Sequence, residues 1–301
     1  MTKKTRNWLI VLLSIPAVVV IAVVGLLIFL ELQPLPPIQP LPNPNGYDDL
    51  VKAGTMASTN SWNYEKMNEV QLRETVAANV EALSLARAGL TNECRVTTQF
   101  SSTYINNHLN ELACLKRLAQ AFVPEGRLAE VENRPNDAAK TYLDVIRLGN
   151  ESPRGGVIID QLVGTAIEAI GVANLQKLID QLDAKSCRDT AAMLETLDRQ
   201  RQTWAEVMQQ QKAWSYRSYT GLRYELTKLV MHNSLNKNLQ KAEQRLNTQQ
   251  TKMNQLIIDL AARTYELDKG HRPANLSDLV PDYLKAIPQD PLTGTDMVYS
   301  P

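Results

Sequence analysis

The sequence predicts an all-α protein of helical hairpins, with an amino-terminal transmembrane helix and a small mixed α/β tail. Three observations predict it. Trp8 to Leu30 is an uncharged apolar run, and apolar residues recur at helical spacing from Tyr47 onward. Aromatic residues make up only 6% of the chain, with three Phe, too few for the core of a β-sandwich.

Within residues 8–30 only Ser14, Pro16 and Gly25 interrupt the apolar run. As a helix it spans ~34 Å, slightly more than the ~30 Å hydrocarbon core of a bilayer. Lys3, Lys4 and Arg6 precede it, and Glu31 is the first charge after it. A basic flank stays cytoplasmic, so residues 1–7 form a cytoplasmic tail and the bulk of the chain is extracytoplasmic. The expected location is a bacterial inner membrane, crossed once by a signal-anchor. A cleaved signal peptide would carry an apolar region of about 7–15 residues ending in small residues. This run is longer, and it exits into Glu31-Leu32-Gln33-Pro34. A second apolar stretch, Val157 to Ala173, carries Asp160 and, near its middle, Glu168. Charge at that depth is costly in lipid, so the stretch reads as a buried helix of the folded domain.

Residues 31–46 read as a stalk, because six prolines fall between Gln33 and Pro44. Such density enforces polyproline II and gives a semi-rigid spacer of roughly 37 Å. A helical domain is expected over 47–234. Helices are predicted over Asn68–Ala88 and Tyr104–Phe122, separated by small polar residues at 91–102, and a hairpin over 127–132 and 135–148. Ser152-Pro153 is expected to open a long helix running to about Leu182, and Ser186 with Asp189 to open the next. Gly156, Gly164 and Gly171 fall on one face of the first of these, where a neighbouring helix can approach closely. Over residues 235–270, Leu239, Leu246, Met253, Leu260 and Leu267 repeat every seven residues. That repeat predicts a long helix with a narrow coiled-coil seam and leaves self-association open.

The composition narrows the function. Lys plus Arg and Asp plus Glu number 32 each, so there is no surplus of positive charge for nucleic-acid phosphates. Histidines stand only at 108, 232 and 271, and no HExxH, P-loop, GxGxxG or GxSxG pattern occurs. No catalytic, cofactor-binding or metal-ligating residue is assigned, and no cofactor is expected. Asp160 and Glu168 are the only carboxylates considered for acid–base work. Eight helical residues part them by ~12 Å along the axis, so they read as solvated or paired structural carboxylates. Pro153-Arg154-Gly155-Gly156 presents either an anion site on free amides or a tight entry turn. Of three cysteines, Cys94 and Cys114 are the pair considered for a disulfide, against three buried thiols.

The hairpin at 122–150 resembles one tetratricopeptide repeat. Gly126 and Ala129 hold its small positions, Ala138 and Tyr142 its close-packing and aromatic positions, and Asn133 stands where that repeat usually has Gly. No 34-residue period follows, so an ordinary helical hairpin is the simpler reading. Toward the end, Tyr265…Gly270-His271-Arg272-Pro273, Tyr283-Leu284 and Pro288-Gln289-Asp290-Pro291-Leu292-Thr293-Gly294 precede Tyr299. Residues 271–301 are thereby similar to the segment after the long helix in pseudopilins of type II secretion systems. Their physics is readable directly. Gly270 ends the helix, Asn275 with Asp278 caps a short one, and Asp290-Pro291 with Gly294 turns toward a strand at Val298 and Tyr299. With Gly155-Gly156, Asp160-Gln161-Leu162-Val163-Gly164, Ile167-Glu168 and Gly171, the whole chain looks like a family of uncharacterised bacterial single-pass membrane proteins. That resemblance implies an architecture and no activity. The chain departs from true pseudopilins in lacking their Gly-aromatic cleavage site, and a proline stalk separates its two helices. It also stops two residues after Tyr299, so the metal-carrying strands of some pseudopilins are not expected.

The expected function is a non-enzymatic, membrane-anchored scaffold or protein-interaction module with a protein partner or a second copy of itself. The alternatives are a pseudopilin-like component of an envelope secretion or assembly system, and a cell-envelope enzyme acting through Asp160 or Glu168.

Overall fold

The computed structural model describes residues 18–25, 28, 37–58, 64–219 and 232–298. Most of the 8–30 run, residues 31–36 of the stalk and Tyr299 lie outside the described residues. Residues 18–25 are helical, and Val18, Val20 and Ile21 are 60–70% exposed, so the folded domain does not cover them.

Eight α-helices follow among the described residues: α1 (Gly46–Met56), α2 (Glu69–Gly89), α3 (Tyr104–Val131), α4 (Pro135–Glu151), α5 (Ile158–Gln176), α6 (Ala184–Arg199), α7 (Trp204–Ser218) and α8 (His232–Lys269). No strand occurs among them, and the domain is all-helical. Side-chain caps set several boundaries by taking up amides that a helix leaves free. Asn45 caps α1, and Asn68 and Gln71 form a reciprocal box at the start of α2. Thr203 and Glu206 do the same for α7.

Two apolar cores meet at α4 and α5. One joins α1, α2 and α3 to the outer faces of α4 and α5 through Leu50, Leu83, Leu118, Phe122 and Ile167. The other packs α6, α8 and the tail against α4 and α5 through Tyr142, Leu175, Leu194, Met253 and Leu260. The two helices press together where glycines leave room. A Cβ on Gly164 would lie 2.5 Å from the Gly149 carbonyl, and one on Gly171 would lie 2.7 Å from the Tyr142 carbonyl. Gly156 is not part of that contact; it lies in the turn before α5.

Several predicted boundaries move. Helix α3 runs unbroken from Tyr104 through Pro124, joining two segments the sequence separates. Ser152 closes α4 instead of opening a helix, and α5 starts at Ile158 and ends at Gln176. Asp183, accepting from the Ser186 amide at 2.7 Å, caps α6, so the start lies one residue beyond it and not at Ser186. In the hairpin, a Cβ on Gly126 would strike the Tyr142 ring at 2.4 Å, and Asn133 takes the left-handed conformation at φ 56°. Both match the positions that carry the repeat-like resemblance. The tail turns as the sequence indicates: Gly270 and Gly294 have φ of 80° and 71°, and the Gly294 amide donates to the Asp290 carbonyl at 2.8 Å. The predicted α/β character of the tail is not borne out: the short helix Leu276–Leu279 is 3-10, Val298 is in no strand, and the only β pairing among the described residues is an isolated antiparallel bridge between Gln289 and Asp296.

Among the described residues, α5 alone is long and apolar enough to cross a membrane. It lies between the two cores with Asp160 and Glu168 buried on it, which accounts for its composition. Of the α8 heptad positions Met253 and Leu260 are fully buried in the domain, Leu239 and Leu246 are half-buried, and Leu267 is 41% exposed.

Candidate functional site

Asp160 and Glu168 sit on one helix but serve separate networks. Val157 precedes α5, and its amide donates to Asp160 Oδ2 at 2.8 Å, so this carboxylate caps its own helix. The other oxygen, Oδ1, lies 2.5 Å from His108 Nε2 on α3. His108 Nδ1 faces Glu111 Oε2 at 2.9 Å, and the Tyr47 hydroxyl from α1 donates to that same oxygen at 3.0 Å. An imidazole with a carboxylate at each nitrogen donates from both, which is the protonated form. Burial disfavours the charge on His108, but the hydrogen bonds and charges of Asp160 and Glu111 outweigh it and raise the pKa above the ordinary value. Burial first, then the nearby carboxylates, push the Tyr47 and Tyr104 hydroxyls far up and keep them neutral.

Tyr104 stacks on the His108 ring at 4.8 Å, and Trp214 of α7 covers Tyr104 at 5.8 Å. The imidazole is therefore sealed: His108 and Asp160 are each 2% exposed. No substrate reaches them in this conformation, and the group works as a buried tie between α1, α3 and α5.

Glu168 Oε2 accepts from Arg201 at 2.8 Å, and Oε1 lies 3.4 Å from Gln249 Nε2 on α8. Burial raises the Glu168 pKa, and the Arg201 charge opposes that rise without cancelling it. This pair joins α5 to the α6–α7 connection and to the long helix. Of the two alternatives the sequence leaves open, solvated or paired, both carboxylates are paired, each in its own network, and the structure does not bring them together.

The anion alternative at residues 153–156 does not survive the hydrogen bonding. The Gly156 amide donates to the Pro153 carbonyl at 3.0 Å, and the Ile158 amide to Gln211 Oε1 at 3.2 Å. With Val157 held by Asp160, the entry to α5 is a closed turn. All three cysteines are free thiols, so Cys94 and Cys114 are not bridged. Burial pushes the Cys94 thiol up to about 12 and Cys187 up to about 11. Among the described residues no group of three His, Cys, Asp or Glu has the arrangement of a metal site.

The accessible feature is a cleft of about 490 Å³ directly above Trp214 and Val157. One wall is the stalk end, Pro37 to Leu41; another is the stretch from Arg95 to Phe100; the third is Gln202 and the face of α7 bearing Glu206, Gln209 and Gln210. The stalk end is tied down. Gln39 accepts from the Arg95 guanidinium, and the Asn45 side chain bonds both the Arg95 carbonyl at 2.9 Å and the Arg95 amide at 3.0 Å. Trp214 is fixed by donating from Nε1 to the Gln99 carbonyl at 2.9 Å. The described half of the stalk thus runs along the domain.

Sequence reasoning did not single out His108, Glu111, Tyr104, Tyr47 or Trp214. A local signal exists, since Tyr104, His108 and Glu111 share one helix face at spacings of four and three. Pairing them with Asp160, 52 residues away, needs the tertiary fold. No family model matches the chain, and no curated protein or solved structure matches it either.

Proposed function

We propose that this chain is a non-enzymatic, membrane-tethered interaction module of the bacterial inner membrane, facing outward. One observation carries the reading. A polar-lined cleft of ligand size is walled by the segment that leads to the predicted anchor. The uncharged run at 8–30, its basic flank and the outward-facing side chains of residues 18–25 support the tether. The engagement of Asp160 and Glu168 in buried pairs weighs against the enzyme reading. The test is photo-crosslinking in cells from a probe at Gln209, with a probe at Met193 on α6 as control. A distinct adduct from Gln209 alone is expected. Turnover of a cell-wall polymer by the purified chain, surviving in a variant without crosslinks, would overturn the reading.

A second reading, a pseudopilin-like part of an envelope secretion system, rests on the Asp290–Gly294 turn and the short capped helix before it. Unchanged secretion after deletion of residues 271–301 would end it.

A further inference from the structure

We infer that the folded domain rests on the membrane through Ile38, Leu41 and Phe100, which enter the headgroup layer of the bilayer that holds the anchor. This second membrane contact rests on the tether reading and deepens it. Chain length carries the inference. The described domain begins at Pro37, six residues beyond Leu30, where the predicted anchor ends. Those six residues reach at most about 22 Å. A compact unit of residues 37–298 is roughly 45 Å across. The stalk end is tied to that unit, through Gln39 and Asn45 to Arg95. A tether half as long as the domain is wide keeps the stalk end off the far side, so the surface around Pro37 lies next to lipid.

That surface carries side chains suited to the place. Ile38 is 62% exposed, Leu41 48% and Phe100 36%, and all three line one cleft although they come from two separate stretches of chain. Apolar groups left in water beside a bilayer gain by entering its interfacial layer. The Arg217 guanidinium, on the last turn of α7, lies 5.3 Å over the Phe100 ring. An apolar ring beneath a cationic tip suits headgroup depth, where phosphates surround the charge. The acidic groups nearby are engaged. Glu93 pairs with Arg95 at 2.9 Å, and Glu206 accepts from the Thr203 amide at 2.7 Å. Glu206 and Gln209 also stand about 16 and 12 Å from Arg217 along α7, so that end of the cleft stays open to a protein partner.

The test uses the full chain with Cys114→Ser in nanodiscs of phosphatidylethanolamine and phosphatidylglycerol, with some headgroups carrying a nitroxide. A fluorophore is placed on Leu41→Cys, on Phe100→Cys or, as control, on Met193→Cys. The nitroxide is expected to quench the labels at 41 and 100 by about half and to leave the label at 193 unchanged. Adding Ile38→Glu with Leu41→Glu should abolish quenching at 100, with the circular dichroism spectrum and Tm unchanged. Quenching at 41 and 100 no greater than at 193 overturns the proposal, as does quenching at 100 that survives the two glutamates. Labels shielded from aqueous iodide without lipid quenching assign the face to a second copy of the chain, and overturn it equally. If the chain still resists carbonate extraction from vesicles in any of those cases, the tether reading stands and only the docking face falls. Release of the chain by carbonate ends both.

Discussion

His108 Nε2 lies 2.5 Å from Asp160 Oδ1, with both side chains 1% exposed. That contact ties α3 to the first turn of α5, and through Glu111 and Tyr47 it reaches α1. Breaking one side strands a buried charge, which costs about 3–5 kcal/mol. His108→Ala is therefore expected to destabilise the domain by about that amount, read as the shift in urea midpoint at constant m.

The same residue gives the domain a pH dependence of known sign. The His108 pKa is raised in the folded state, so its stabilisation is complete below the unfolded value of about 6.5. It is lost as pH rises through the higher folded value. Urea titrations between pH 6 and 9 should show stability falling with pH, and His108→Gln should flatten that slope. An unchanged slope would remove His108 from the account.

Glu168 and Arg201 form the second buried pair, with Glu168 1% and Arg201 20% exposed. Arg201→Ala leaves the carboxylate unpaired beneath α8, at an expected cost of about 3–5 kcal/mol. Glu168→Gln with Arg201→Met replaces both charges and should recover most of that loss. A double-mutant cycle measures the coupling, and a coupling near zero contradicts the pairing.

Gly149, Gly164 and Gly171 mark where α4 and α5 meet. A Cβ on Gly149 would lie 2.5 Å from the Glu168 amide and 2.6 Å from the Gly164 carbonyl, both backbone atoms unable to swing aside. Gly149→Ala should cost at least about 1–3 kcal/mol, although alanine is the better helix former. A gain in Tm would mean that the helices have room to part.

The thiols differ in access. Cys94 and Cys187 are buried with raised pKa, whereas Cys114 is partly exposed beside the Thr55 hydroxyl at 3.7 Å. Maleimide at pH 7 should label Cys114 first, and the other two only after unfolding. Mass spectrometry of the labelled peptides decides it.

If the anchor ends at Leu30 and the chain is held on the domain from Pro37, six residues join them. They reach at most about 22 Å, well short of the span of a free twelve-residue stalk. A fluorophore on Ile38→Cys, a residue 62% exposed, should lie within about 30 Å of the headgroups of a nanodisc by energy transfer. A much longer distance would show that the tether detaches from Arg95.

The sequence by itself determined the helical class and, to within a residue, the ends of α2. It also determined the Asn133 bend and the turns at Gly270 and Gly294. These follow from local rules: apolar spacing, side chains that cap free amides, and residues that tolerate positive φ. It also indicated that Asp160 and Glu168 do not share one reacting group, because helical rise alone keeps them apart. Only the tertiary structure decided their partners, His108 and Arg201, which are 52 and 33 residues away. Charge pairing over such separations leaves no periodic trace in a chain. The tertiary structure likewise decided that Met253 and Leu260 of the α8 seam are buried within the domain and that the stalk end becomes the wall of a cleft. Those outcomes depend on which surfaces the packed helices leave uncovered, and that is fixed by the whole assembly of helices.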